Sequence, residues 1–253
     1  MNIKQITGDY LRTQMLGTNS SQRNEREDLH AEKFTDKPKV NSFFTYQVWK
    51  RIIDHVLAAV LIVVLSPLLA IITLIITFDS SGSVIFRREQ VGENGKKFMM
   101  YKFRTMQSNN NDYKYKAYLI RYILEDAPYA IDQNGQEVYK VIDDSRVTRF
   151  GVILRKTNLD ELPQIFNILK GEMSFIGPRP DIPFAVNIYN DWHLQRLEVK
   201  PGITGLWQVS KRKGLSFKDM VKLDIEYINK QSLLLDIKIF LLTIGIILKM
   251  DGS

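Results

Sequence analysis

The stretch Arg155-Lys156-Thr157-Asn158-Leu159-Asp160-Glu161-Leu162-Pro163 places two adjacent carboxylates between a pair of cations and a proline. Proline is tolerated in the first turn of a helix, where its missing N–H has no intrahelical partner to lose, so a helix beginning near Asn158 to Asp160 is expected. Carboxylates there lie beside free backbone N–H groups and the positive end of the helix dipole, an environment that keeps an aspartate ionised and receives phosphate. An ionised aspartate facing a phosphate can attack phosphorus. The same residues also read as a helix cap, with Asn158 and Glu161 spaced as a reciprocal capping pair. The stretch alone leaves both readings open.

Two further segments carry cations that a phosphate site needs. In Gly177-Pro178-Arg179-Pro180, two prolines clamp the backbone around one arginine, whose planar fork suits bidentate contact with phosphate; a rigid turn with a solvated arginine fits equally. If Tyr101-Lys102-Phe103-Arg104-Thr105 is a strand, Lys102 and Arg104 share one face and Tyr101 and Phe103 the other. That face is either a solvated surface or a second cationic wall. There is no cysteine, which excludes a disulfide framework, a thiolate nucleophile and a Cys-containing zinc site. His30, His55 and His193 are too scattered for a metal cluster, and Trp192 and His193 read as packing residues. No Gly-rich loop of the G-x-x-x-x-G-K type is present.

The elements that must position these groups fit one sizeable domain in 253 residues. With 35 Lys plus Arg against 28 Asp plus Glu, the net charge of +7 suits lipid headgroups, a nucleic acid or a phosphorylated substrate. Residues 1–45 are polar, lack the basic-then-apolar pattern of a signal peptide, and read as an extension with little regular structure. From Val56 to Phe78 the chain is nearly all apolar, long enough at about 1.5 Å per residue to cover a hydrocarbon core about 30 Å thick. Ser66-Pro67 at its middle predicts a bend. Lys50 and Arg51 before it, and Arg87, Arg88, Lys96 and Lys97 after it, favour the cytoplasm at both ends. About ten residues in, a turn at Ser66-Pro67 and about ten residues out satisfy length, kink and flanks together; the alternative is a spanning helix kinked at proline.

Leu233 to Leu248 is apolar but carries Asp236 and Lys238, as an interfacial or core helix does. Ser83 to Phe86 and Phe98 to Phe103 read as strands around a Gly92-Glu93-Asn94-Gly95 turn. Gln107 to Asp144 reads as a polar insertion with an Asn134-Gly135 turn. From Arg149 onward helical patterns alternate with Gly/Pro loops. The expected fold is mixed α and β, predominantly helical. It has a re-entrant membrane helix hairpin over 46–82, then a catalytic domain over 83–253 with a small β-hairpin and interfacial amphipathic helices, resting on the membrane.

Together these segments resemble the bacterial sugar transferase family, the monotopic phosphoglycosyl transferases, over roughly Tyr46 to Met250. The matching blocks run in order: Lys50-Arg51-Ile52-Ile53-Asp54, Ser66-Pro67, Tyr101-Lys102-Phe103-Arg104-Thr105-Met106 and Leu159-Asp160-Glu161-Leu162-Pro163-Gln164. Lys170-Gly171-Glu172-Met173-Ser174, Gly177-Pro178-Arg179-Pro180 and Pro201-Gly202-Ile203-Thr204-Gly205 complete them. The resemblance implies that Asp160 is the nucleophile and that Glu161 binds Mg²⁺. It implies ping-pong transfer of a hexose-1-phosphate from a UDP-sugar to polyprenyl phosphate, with UMP released. It places Lys102, Arg155 and Arg179 at the phosphates and Arg212 at the uridine end, and Asp224 and Asp236 on acidic positions of the family. Lys211 stands where the family usually has glycine. The implied setting is the cytoplasmic face of a bacterial inner membrane, with lipids and both substrates as partners, no nucleic acid, and self-association left open. A basic membrane-anchored adaptor without catalysis is the competing reading, in which Asp160 and Glu161 only cap a helix.

Overall fold

The computed structural model of the chain describes residues 41–107, 113–131, 137–138, 146–210 and 215–248. The extension before residue 41, the Asn134-Gly135 turn and Arg212 lie outside the described residues. The elements run α1 (Asn41–Asp79), β1 (Ile85–Val91), a 3-10 turn (Glu93–Gly95), β2 (Lys97–Phe103), α2 (Tyr113–Glu125), β3 (Ala130–Ile131), β4 (Glu137–Val138) and α3 (Arg149–Thr157). There follow a 3-10 turn (Leu159–Gln164), α4 (Ile165–Leu169), β5 (Ser174–Ile176), α5 (Pro183–Val186), α6 (Asp191–Leu194), a 3-10 turn (Gln195–Leu197), β6 (Gly202–Thr204), α7 (Phe217–Lys230) and α8 (Leu233–Leu248). Helix predominates, as the sequence predicts.

Among the described residues the strands pair two by two. The expected hairpin is present, but its first strand runs Ile85–Val91, up to the Gly92–Gly95 turn, instead of Ser83 to Phe86: β1 and β2 are antiparallel, with Phe86 opposite Lys102 and Arg87 opposite Tyr101. β5 and β6 are parallel, with Ser174 opposite Gly202 and Ile176 opposite Thr204. A parallel pair needs a crossover, and α5, α6 and the Gln195–Leu197 turn supply it.

α1 is helical through Ser66-Pro67, where the sequence predicts a turn. Proline removes the N–H that would bond the carbonyl four residues back, and the Ser66 hydroxyl donates to that carbonyl, of Val63, at 2.8 Å. The acceptor orphaned by Pro67 is thereby satisfied without opening the helix. Val63, Val64, Leu74 and Phe78 are exposed, whereas Ala58, Ile72 and Ile76 are buried. Ala58 packs in a cluster with Phe98, Met100, Ile168 and Ile239. Ile72 and Ile76 pack with Phe103 and Leu154, and Leu159 and Leu162 lie against that cluster. By length and composition α1 is the one helix among the described residues that is able to cross a membrane.

β2 is held on its second side by a side chain. Asn167, fully buried on α4, accepts from the Tyr101 N–H at 3.1 Å and donates to the Met99 carbonyl at 2.7 Å. Its amide also donates to Glu172 Oε2 at 2.7 Å. The amide continues the strand's hydrogen bonding as a neighbouring strand would, and so fixes α4 against β2. Asn167→Leu leaves the Tyr101 N–H and Met99 carbonyl without partners, each costing roughly 1–3 kcal/mol. The expected loss of about 3 kcal/mol is read as a lowered melting temperature in detergent, and an unchanged one would remove Asn167 from this role.

Candidate active site

α3 ends with Asn158 in the left-handed conformation, φ 55°, its N–H bonded to the carbonyls of Arg155 and Leu154. Asparagine adopts that conformation more readily than most residues, and the chain swings straight into the Leu159–Gln164 turn. Leu159 and Leu162 settle against the α1 cluster, and Asp160 and Glu161 reach the cations of β2 and of the Gly177–Pro180 turn.

Two sequence expectations are corrected here. Asn158 makes no side-chain cap, and the Glu161 carboxylate bonds Lys102 and Arg179, so no capping pair forms. Asn158 is already spent as the left-handed C-cap of α3, which denies it the extended conformation of an N-cap. The carboxylates also occupy a six-residue 3-10 turn rather than the start of an α-helix. The positive charge at this place therefore comes from cationic side chains.

The two neighbouring carboxylates are treated differently. Glu161 Oε1 accepts from Lys102 Nζ at 2.7 Å and Arg179 Nη2 at 2.8 Å. Lys102 Nζ stands 4.0 Å from Asp160 Oδ2. Burial disfavours ionisation of Glu161, but Arg179 and Lys102 outweigh it and hold the carboxyl at about 2. For Asp160 burial prevails: its pKa is raised although Lys102, Arg179 and Arg155 oppose this, and the charge of Glu161 adds to the rise. Adjacent carboxyls whose environments push their pKa values apart are suited to different roles. Glu161 is a fixed anion, and Asp160 is a more basic carboxylate with no close ion pair.

The structure thus brings together Asp160, Glu161, Lys102 and Arg179. Arg155 stands nearby with Nε donating to Thr105 Oγ1 at 3.1 Å, and its charge reaches Asp160.

Three predicted ligand contacts are engaged elsewhere. Arg104 lies just past β2 and turns to the end of α1, donating to the carbonyls of Ile76 at 3.3 Å, Ser80 at 2.6 Å and Ser83 at 2.6 Å. Ile76 lies in the last turn of α1 and Ser80 and Ser83 in the segment that follows it, so the guanidinium ties the end of the helix to that segment. Asp224 is 1% exposed and pairs with Arg196 Nη2 at 2.7 Å. Asp236 accepts from Lys50 Nζ at 2.7 Å, Tyr46 OH at 2.9 Å and Tyr227 OH at 2.8 Å, tying α8 to the start of α1.

Two important residues escaped the sequence reading. Asn167 is a lone polar residue within Ile165-Phe166-Asn167-Ile168-Leu169, a pattern that marks a buried amide. Arg196, in Gln195-Arg196-Leu197, carries no such local sign.

A sequence model of the bacterial sugar transferase family matches residues 45–250. The chain is 40% identical over 204 residues to the UDP-galactose-lipid carrier transferase of Erwinia amylovora, covering 81% of this chain and 41% of that protein. It is 37% identical over 204 residues to the undecaprenyl-phosphate galactose phosphotransferase of Salmonella typhimurium, covering 81% and 41%. With the exopolysaccharide production protein ExoY of Sinorhizobium fredii it shares 36% identity over 204 residues, covering 81% and 87%. The chain therefore spans less than half of the first two proteins and most of the third.

Proposed function

The chain belongs to the bacterial sugar transferase family, and from that premise we propose that it moves a hexose-1-phosphate from a UDP-sugar to a polyprenyl phosphate, releasing UMP. In this reading it opens the membrane stage of exopolysaccharide, capsule or a related glycan. The observation that carries the proposal is the unequal pair: Glu161 clamped by two cations at 2.7 and 2.8 Å, and Asp160 beside it with a raised pKa and Lys102 Nζ only at 4.0 Å. The names of the relatives, which pair galactose with a lipid carrier and with undecaprenyl phosphate, support the substrate classes.

The proposed chemistry proceeds in two displacements. An oxygen of ionised Asp160 attacks the phosphorus that bears the sugar. The bond from that phosphorus to the bridging oxygen breaks, and its electron pair leaves with UMP. An oxygen of the acceptor phosphate then attacks the same phosphorus, and the bond to Asp160 breaks to return the carboxylate. Lys102 and Arg179 neutralise charge on the phosphoryl oxygens. The donor set also fits Mg²⁺, which commonly takes one or two carboxylates and completes its shell with substrate phosphates and water. Among the described residues no cluster of three or more candidate ligands occurs. Glu161 would hold the ion, which when bound supplies further charge neutralisation at the phosphates.

We assign the chain to the cytoplasmic face of the inner membrane, with α1 bending at Pro67 while it stays helical there, so that it dips into the bilayer and both its ends lie on one side. Two observations support this. Ala58 in its first half and Ile72 and Ile76 in its second pack against the same domain, and basic residues flank both ends. Because Leu159 and Leu162 rest on α1, the reacting carboxylates would stand at headgroup depth, where the acceptor phosphate lies.

The test uses membrane vesicles supplied with undecaprenyl phosphate, Mg²⁺ and a panel of UDP-sugars. UMP is expected from one donor, in inside-out vesicles and not in right-side-out ones, since the donor does not cross the membrane. Release of UDP would reassign the chain to simple glycosyl transfer. No nucleotide release from any donor would favour the adaptor reading.

A further inference from the structure

Arg196 is 2% exposed and its guanidinium reaches Asp181, Tyr189, Asp224 and the Arg179 carbonyl, none of them a carboxylate of the candidate site. Its Nη1 donates to Asp181 Oδ2 at 2.8 Å and to Tyr189 OH at 2.8 Å. Its Nη2 lies 2.7 Å from Asp224 Oδ2 and donates to the Arg179 carbonyl at 3.2 Å. Tyr189 OH in turn donates to Asp181 Oδ2. Burying a guanidinium is unfavourable until its partners offset the lost hydration, and well-packed apolar residues often serve stability as well or better. An apolar residue cannot hold a carbonyl in a set direction.

The carbonyl in question belongs to the residue whose side chain clamps Glu161. From Gly177 to Asp181 the backbone is short of donors, because Pro178 and Pro180 have none. Its ends are pinned: Gly177 N donates to the Thr204 carbonyl at 2.9 Å, Gly202 N to the Pro178 carbonyl at 2.9 Å, and Val91 N to the Asp181 carbonyl at 2.8 Å. Between these pins Arg196 holds Arg179. The Arg179 side chain is 39% exposed and long, so the direction of its root strongly affects where its fork arrives.

We propose that Arg196 is a positioning residue, ion-paired with Asp181 and Asp224, that fixes the Arg179 backbone and so aims its guanidinium at Glu161 and at the donor phosphates. Asp224 then acts through Arg196 and Arg179 without meeting substrate. The phosphate part of this assignment rests on the proposed transferase function; the Glu161 part does not.

A double-mutant cycle separates positioning from general structural support. Arg196→Lys keeps one positive charge for the carboxylates but loses the fork that reaches the carbonyl. For UMP release it is expected to lower kcat/KM about tenfold in the wild-type background and less than twofold in an Arg179→Ala background, with equal falls in Tm. An equal fold-loss in both backgrounds, or none in the first, would overturn the proposal. A second arm needs no substrate: the coupling between Arg179 and Glu161, from melts of Arg179→Ala, Glu161→Gln and the double variant, should fall by more than half when Arg196→Lys is added. Unchanged coupling would overturn the aiming role even if no UDP-sugar is turned over, and absent turnover with reduced coupling would sink only the transferase reading. If Arg196→Lys does not fold, Tyr189→Phe removes one partner of Arg196 and should show the same background dependence, with a loss of about threefold; background-independent loss would count against the proposal.

Discussion

Asp160→Asn is expected to lower UMP release by roughly a thousandfold or more, as removal of a covalent nucleophile does, and to leave the fold intact. The amide has the shape of the carboxylate but cannot form the acyl phosphate. The Lys102–Glu161–Arg179 cluster, at 2.7 and 2.8 Å, does not depend on Asp160 for its contacts. Because burial disfavours the ionised aspartate, the neutral amide should cost no stability, and the melting temperature should hold or rise. Activity within tenfold of wild type, or loss of activity only together with the fold, would dismiss Asp160 as the nucleophile.

The same pair fixes the acid side of the pH profile. In the proposed mechanism Asp160 attacks in its ionised form, so the rate is expected to fall as pH drops through a pKa raised above 3.8. Glu161 is held at about 2, against 4.5 ordinarily. A carboxyl depressed in the fold contributes stability above its unfolded pKa, on the order of 3 kcal/mol here, and loses it as pH falls from 4.5 toward 2. Activity should therefore decline on acidification before the stabilising effect of Glu161 is spent. Coincident loss of rate and fold would contradict the unequal pair.

Gly202→Ala should destabilise the protein by about 3 kcal/mol or more. A Cβ at this position would lie 2.2 Å from Gly177 N, 2.5 Å from the Thr204 carbonyl oxygen and 2.7 Å from the Gly177 carbonyl oxygen. All three are backbone atoms, so no side chain can move aside. The collision forces β5 and β6 apart and breaks the bonds that pin the Gly177–Asp181 segment, so Arg179 is displaced where the protein still folds. Gly245→Ala on α8 is the control: a Cβ there meets nothing within 4 Å, and its helix propensity favours alanine by up to about 1 kcal/mol. Thermal melts of the two variants check the contrast, and comparable melting temperatures would show that the parallel pair yields more readily than its spacing allows.

The sequence determined the things that are local or periodic. Apolar continuity over Val56 to Phe78 specifies a membrane-sized helix, and the Gly92–Gly95 turn between alternating strands specifies a hairpin. Leu159-Asp160-Glu161-Leu162-Pro163 already holds both carboxylates with apolar residues on either side. Which carboxylate is clamped was not legible, because it depends on Lys102 and Arg179, 58 and 19 residues from Asp160 in the chain, arriving at one oxygen of Glu161. Arg104 and Asp224 look in the sequence like further site residues, since a charge does not announce whether its partner is a ligand, a helix end or a buried guanidinium. Ser66-Pro67 reads as a break, because the hydroxyl's bond to the Val63 carbonyl depends on a rotamer that residue type does not encode. Chemistry and periodicity are written in residue types and short spacings; the assignment of partners required the fold, because hydrogen bonds and ion pairs act over a few ångströms between segments far apart in the chain.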